Sequence, residues 1–284
     1  MNNVPSQAHI PPVRLWLWLS IAAALLAVSG SIIALSVRTI YAGLTPAFLP
    51  QALAQDIANL AVVSPVWLIL AALALRGSLR AYLLWLGVLT FTAYNYVIYT
   101  FSVPFGPLFL LWVAVLGMSL FSLIGGVTAV GHGAVAASFT SRRATAVVAW
   151  ILIITAALIG VLWLSEDVPA LLSGTRPQSL VDMDLPTNPV HILDLGLFIP
   201  AVIATGILLI KGKPLSYTVA PACLVLLILT SLPILLTPAV QSWLGETAAW
   251  GLMVPIGVLT VALLMLLVWL LSTMRPQEFS ATIR

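Results

Sequence analysis

Residues 188–200 read NPVHILDLGLFIP and open a long apolar stretch in which a histidine and a carboxylate stand three positions apart. This spacing places His191 and Asp194 on one face of the predicted helix. Other long apolar runs of the chain exclude ionisable groups almost completely, and ionisable groups inside membrane spans are costly and usually functional. The stretch therefore predicts both the class of the fold and the position of a polar site.

The composition of the chain indicates that lipid is its main solvent. Of the 284 residues, 62% are apolar and 7% are charged, whereas about a quarter of the residues of a soluble domain are charged. The net charge of +3 is no evidence for nucleic-acid binding, because basic residues between spans set the orientation of a membrane protein. The single cysteine, Cys223, permits no disulfide within the chain. The composition therefore predicts an all-α, polytopic transmembrane helix bundle with the lipid bilayer as its partner.

Eight apolar stretches are long enough to cross a bilayer as helices. The predicted spans cover residues 15–36, 57–75, 81–101, 107–130, 144–164, 190–210, 215–236 and 248–271. A signal peptide is the alternative for the first stretch, but an apolar run of about 20 residues fits a span better. Residues 14–272 are then one transmembrane domain, between terminal tails at residues 1–13 and 273–284. Two connections are notable: a loop with two prolines at residues 38–55, and the longest polar segment at residues 165–190.

The basic residues predict the orientation of this bundle. With the N-terminus in the cytoplasm, nine lysines and arginines fall on the cytoplasmic side, and only Arg38 and Arg176 fall on the other. This bias follows the positive-inside rule and predicts that both termini are cytoplasmic. Seven of the eight acidic residues fall on the outer side. An acidic outer vestibule and ordinary solvated loops explain that collection equally well.

A shift of 135 residues aligns the second and third spans with the sixth and seventh. Asp56 then falls on His191, Asn59 falls on Asp194, and both hairpin turns carry a basic residue before a glycine. Four spans in each half would form a 4+4 parallel repeat, related by an axis along the membrane normal. The first, fourth, fifth and eighth spans show no convincing match, so the alignment supports the repeat for two hairpins only.

Asp56, Asn59, His191 and Asp194 are the candidate ligand-binding residues at the outer ends of the second and sixth spans. The His-x-x-Asp pair could bind a divalent metal, or its two groups could influence each other's protonation. Metal sites normally use three or four ligands, so the metal and any cofactor stay unknown. Helix capping is the competing explanation, because acidic groups in a first turn stabilise free amides and the helix dipole. The shallow depth of these residues favours capping.

The third span adds Asn95, Tyr96 and Tyr99 to the candidate site. Tyrosines near a membrane surface ordinarily form an aromatic belt, but an amide at membrane depth needs another helix or a ligand as its partner. Aromatic rings beside an amide suit an organic cation, a sugar or a quinone head group. We expect the four polar residues of the second and sixth spans to converge with Asn95 or Tyr99 on one outward-facing, water-accessible pocket.

Residues 188–195 with Pro200, the basic turn at 211–214, and residues 94–96 and 105–109 resemble a pattern of bacterial multi-spanning membrane proteins that have no assigned activity. The resemblance implies a multi-pass protein of the bacterial inner membrane. It carries over no catalytic residue and no cofactor.

Three functions are compatible with the sequence. A small-solute or ion transporter is favoured by the repeat and by prolines inside spans, which free backbone carbonyls to line a path. A sensor or assembly factor would use an outward ligand pocket without chemistry. An outward-facing membrane enzyme would use His191 as a base and Asp194 as its orienting acid. A central polar cavity would favour transport, and a pocket closed at mid-bilayer would favour the sensor. We expect a transport or ligand-binding protein rather than an enzyme.

Overall fold

Eight long apolar helices form the structure, a computed structural model that describes residues 13–275 except for the side chain of Arg38. The predicted tails lie almost entirely outside the described residues. The helices are α1 (Val13–Ser36), α2 (Leu49–Leu75), α3 (Leu79–Ser102), α4 (Phe109–Thr128), α5 (Arg142–Ser173), α6 (Pro189–Ile210), α7 (Pro214–Trp243) and α8 (Trp250–Ser272). Each is long and apolar enough to cross a bilayer. The all-α polytopic bundle predicted from the sequence is confirmed, and the protein is an integral membrane protein.

The two ends of the bundle differ in the helices that begin and end there. At the distal end, α1, α3, α5 and α7 end, and α2, α4, α6 and α8 begin. The opposite end is the terminal end, where α1 begins and α8 ends. Short helices connect the spans at Arg38–Tyr41, His132–Ser138 and Gln178–Met183. The sequence predicts that the distal end faces outward.

Three helices extend further at the distal end than the sequence predicts. The helix α2 begins at Leu49, inside the predicted loop, because Pro50 occupies its first turn, where no backbone N–H is needed. The helix α5 continues to Ser173, where Gly174 adopts a φ of 65° and ends it. The helix α7 continues to Trp243 with Pro238 inside it. Parts of the segments predicted to be polar loops are therefore helical and extend these three helices at the distal end.

The helices α3 and α7 are the centre of the bundle. In the apolar core stretch of each helix, 78% of the residues are buried in α3 and 56% in α7, against 17% in α8. Gly87 permits their close approach, since a Cβ at this position would lie 2.5 Å from the Cβ of Val225. The other helices pack around this pair.

The helices α2 and α6 are interrupted at equivalent positions. Each contains a π-helical turn, at Asn59–Val63 and at Asp194–Phe198, and the α-helix resumes at Ser64–Leu75 and Ile199–Ile210. All four bounds differ by 135 residues, as the sequence alignment predicts. Each resumed helix has a proline at its second position, and the wider π turn replaces the hydrogen bonds that a proline ring disrupts.

Helices that follow each other in the chain pack together in both halves. Contacts of α1 with α2, α2 with α3 and α3 with α4 correspond to contacts of α5 with α6, α6 with α7 and α7 with α8. The α-helical parts of the fourth and eighth spans, Phe109–Thr128 and Met253–Ser272, are offset by 144 residues. The segment from the start of α7 to Met253 is longer than the segment from the start of α3 to Phe109. A single shift of 135 residues therefore does not align the fourth and eighth spans. Consecutive helices pack together in any up-and-down bundle, so the 4+4 parallel repeat and the superposition of the halves stay predictions.

A clasp at the terminal end joins residues 138–140 to residues 273–275. The backbone N–H of Thr140 donates to the carbonyl of Thr273 at 3.2 Å, and that of Arg275 donates to Ser138 at 2.9 Å. The guanidinium of Arg80 donates to the carbonyl of Met274 at 2.6 Å. The end of α8 is thereby fastened to the connection between the two halves.

Candidate functional site

The first polar cluster at the distal end surrounds Asp56 in α2. The Asp56 carboxylate is 3% exposed and accepts hydrogen bonds from Ser31 at 2.8 Å, Tyr41 at 2.5 Å and Tyr99 at 3.1 Å. These residues are called the Asp56 cluster. Because α2 begins at Leu49, Asp56 lies seven residues inside the helix. The predicted capping role of Asp56 is therefore wrong.

The neighbours of the Asp56 cluster complete its hydrogen bonds. Burial, and then the charge of Asp56, raise the pKa of Tyr41, so this phenol stays protonated and donates. The Asn59 amide is 3% exposed, accepts from Gln55 at 3.0 Å and donates to Ser31 at 3.5 Å. Both polar residues predicted in the second span therefore have partners within the protein.

The second polar cluster surrounds His191 in α6. The His191 side chain has its Nδ1 3.0 Å from Asp167 and its Nε2 3.9 Å from Glu166. The indole of Trp163 stacks on the imidazole at 4.4 Å between ring centroids. These four residues are called the His191 cluster. Its carboxylates come from α5, which continues past the predicted end of the fifth span and runs beside α6.

Asp194 has other partners than the predicted His191. Its carboxylate accepts from the indole N–H of Trp163 at 2.8 Å and from Tyr94. The cap of α6 is Asn188, whose side chain accepts from the backbone N–H groups of Val190 and His191. The capping role predicted for Asp194 is therefore wrong. The carboxylate that contacts the His191 Nδ1 is that of Asp167.

The two clusters occupy equivalent positions in the two halves. Three residue pairs are each 135 positions apart: Ser31 and Glu166, Asp56 and His191, and Asn59 and Asp194. Ser31 of α1 lies 2.8 Å from Asp56 of α2, and Glu166 of α5 lies 3.9 Å from His191 of α6. The correspondence therefore extends to α1 and α5, where sequence comparison finds no match. No group of three or more His, Cys, Asp or Glu side chains within residues 13–275 could hold a metal.

A cavity of about 400 Å³ lies at the distal end among α2, α3 and α7. Asn95 lines this cavity, is 5% exposed, and has no hydrogen-bond partner for its Nδ2. Tyr99 also lines it and links it to Asp56, while Gln55 links it to Asn59. The wall therefore combines one unpartnered amide with two residues that contact the Asp56 cluster or its neighbour.

The cavity lies where the two halves meet. Four pairs of lining residues are 135 positions apart: Gln55 and Val190, Ile98 and Pro233, Tyr99 and Ile234, and Val103 and Pro238. If the halves form the predicted parallel repeat, equivalent residues of both would face one space only near its axis, so the space is called the axial cavity. Within these pairs the first half supplies an amide and a phenol, and the second half supplies only apolar side chains. A bound molecule would meet two different walls.

The structure divides the predicted site instead of gathering it in one pocket. Asn95 and Tyr99 line the axial cavity, and the ring of Tyr96 stacks on Tyr99 at 5.5 Å. Asp194 lines a separate cavity of about 60 Å³. The four polar residues of α2 and α6 belong to two networks, because α1 supplies partners to one and α5 to the other. Asp56 and Asn59 therefore connect to the axial cavity through Tyr99 and Gln55, whereas His191 and Asp194 belong to the other network and do not line that cavity.

Sequence reasoning missed Gln55, Ser31 and Asp167. The 135-residue shift could have indicated Ser31, because it pairs this serine with Glu166, but an apolar first span gives no other signal. Asp167 was assigned to a loop, and its contact depends on the packing of α5 against α6.

Comparison with known proteins adds no family to this description. No protein family, curated protein sequence or solved structure matches the chain. The functional argument therefore depends on the geometry of the axial cavity and the two clusters.

Proposed function

We propose that the protein binds a small, uncharged amphipathic molecule in the axial cavity. The observation that carries this proposal is the Asn95 amide, which is buried in the cavity wall with an unpartnered Nδ2. A buried donor without a partner costs about 1–3 kcal/mol. A ligand oxygen that accepts a hydrogen bond from this amide would remove that cost.

The absence of charge in the wall defines the class of ligand. Among the described residues that line the cavity, none carries a formal charge. A charged ligand would lose water there without gaining an opposite charge, which is strongly unfavourable. Amides and hydroxyls both donate and accept hydrogen bonds, so Asn95, Gln55 and Gln241 suit hydroxyl or carbonyl groups. A sugar-like or quinone-like head group therefore fits better than an organic cation.

Binding without passage agrees with the closed terminal half of the bundle. Large side chains fill it, including the fully buried Trp67, Tyr82 and Trp85. The second candidate, transport of the same molecule, is favoured by the matched π turns of α2 and α6. Interrupted helices at a repeat interface are typical of transporter binding sites. With the predicted orientation, the ligand would enter from outside a bacterial inner membrane.

An enzyme that uses His191 as its base is less well supported. The side chain is 5% exposed, and both ring nitrogens face carboxylates of α5. A general base must reach a substrate proton directly or through one water. The His191 cluster therefore acts as a link between α5 and α6.

The proposal is tested with matched uncharged, cationic and anionic compounds of similar size. Binding to the purified protein in nanodiscs would be followed by the shift of the thermal unfolding midpoint. We expect stabilisation by uncharged members of the set, lost in Asn95→Leu and retained in Asn59→Leu. Stabilisation by charged members alone, or hits that Asn95→Leu leaves unchanged, would contradict the proposal. Uptake of a hit into proteoliposomes would then separate transport from binding.

A further inference from the structure

Asp56 is a carboxylate within α2 whose hydrogen-bond partners among the described side chains are all hydroxyls. It lies about 10 Å along the helix axis from the first residue of α2, at 1.5 Å per residue. Its three donors are a serine and two tyrosines, and no ion pair joins it to any described basic side chain. A buried charge without an opposite charge costs several kcal/mol. Asp56 therefore has a strong reason to bind a proton.

The groups that face Asp56 leave it as the titrating member of its cluster. The helix α1 presents Ser31, the short helix Arg38–Tyr41 presents Tyr41, and α3 presents Tyr99 with Tyr96 stacked behind it. Free phenols titrate only near pH 10, and serine does not titrate in this range. Among the described side chains, a proton taken up here near neutral pH would therefore reside on Asp56.

We infer that Asp56 is a proton-binding site coupled to the axial cavity through the hydroxyl of Tyr99. This inference rests on the proposed function, because it couples proton binding at Asp56 to the ligand site. Tyr99 lines the cavity and donates to Oδ1 of Asp56 at 3.1 Å. Its hydroxyl therefore belongs to both sites.

Proton binding changes what the cavity presents to a ligand. The ionised carboxylate only accepts, so Ser31, Tyr41 and Tyr99 all donate to it. One proton from the solvent converts it to a carboxyl group, which gains a donor and loses accepting capacity, while no bond between heavy atoms changes. Ser31 and Tyr99 both donate to Oδ1, so a proton on Oδ1 displaces one of these two hydroxyls. Tyr99 is the one whose side chain lines the cavity, so its hydroxyl turns from Asp56 toward the cavity. The protonated protein thereby offers a ligand one more hydrogen-bonding group.

The inference is tested on the ligand-free protein by infrared difference spectroscopy between pH 8 and pH 5. We expect a carboxylic C=O band to appear on acidification, together with a shift of a tyrosine C–O band. Asp56→Asn should remove both signals, and Tyr99→Phe should reduce the tyrosine signal to the part that Tyr41 contributes, while the carboxylic band remains. The matched control Asp194→Asn, another carboxylate within a span, should leave both signals in place.

Three spectroscopic results would overturn the inference. The first is a carboxylic band that Asp56→Asn leaves unchanged. The second is a tyrosine signal that Tyr99→Phe leaves unchanged, and the third is the absence of any band that titrates in the wild type. Because no ligand is present, these outcomes are independent of whether the cavity binds an uncharged molecule. A cavity that binds such a molecule at every pH with constant affinity would overturn the coupling and leave the proposed function intact.

Discussion

Replacing Asn95 by leucine should make the ligand-free protein more stable. The amide is 5% exposed and its Nδ2 has no partner, so it contributes an unfavourable term of about 1–3 kcal/mol. Leucine is apolar and of similar size, and Ile98 and Ile234 line the same cavity. We expect the free energy of unfolding to increase by about 1–3 kcal/mol. Reversible unfolding in mixed micelles, followed by circular dichroism, would measure it.

The matched control is Asn59→Leu, because Asn59 is equally buried but fully partnered. This change leaves the Gln55 amide without its acceptor at 3.0 Å and should lower the free energy of unfolding by about 1–3 kcal/mol. The two asparagine variants should therefore shift stability in opposite directions. Equal destabilisation by both would show that the Asn95 amide has a partner, and would refute the reasoning behind the ligand site. Greater stability together with lost ligand binding would show that Asn95 is retained for function.

Three further predictions concern packing, symmetry and orientation. Gly87→Ala should lower the free energy of unfolding by about 1–3 kcal/mol, because its Cβ would lie 2.5 Å from that of Val225. Gly117→Ala is the control, since its Cβ would meet nothing within 4 Å. Equal effects of the two changes in a denaturation assay would contradict a close α3–α7 contact. In an experimental structure, α2 and α3 should superpose on α6 and α7 at a register of 135 residues, and any other register would disprove the repeat. With the native cysteine replaced, a cysteine at Ser173 should react with an impermeant maleimide from outside the cell and one at Ser141 should not, and the reverse labelling would invert the topology.

The number of spans was predictable from sequence because an apolar run of span length is a local signal. The ends of the helices were not, because prolines and charges near the membrane surface permit either a loop or a further turn. The sequence predicts a loop at Pro50, which lies in the first turn of α2. It also predicts a loop at Glu166, which lies within α5 and accepts from the backbone N–H of Ser179 at 3.0 Å. Such choices depend on tertiary partners that composition does not reveal.

The candidate site was predictable in part for the same reason. Asn95 and Tyr99 attracted attention as polar groups at membrane depth, and both line the axial cavity. The pairing of His191 with Asp194 followed from helical spacing alone, whereas its nearest carboxylate belongs to Asp167. Spacing predicts which residues share a face, but the neighbouring helix decides what that face contacts.

The clasp at the terminal end sets an order for biosynthesis. Its hydrogen bonds join residues between 133 and 194 positions apart in the chain, so they form only after the ribosome has made α8. Until then, the backbone groups of residues 138–140 remain available to water, lipid head groups or another chain, as at any unpaired strand edge. A nascent chain with seven inserted helices would thus carry an open edge between its halves. Release of α8 from the insertion machinery closes that edge, which makes the least buried helix the one that completes assembly.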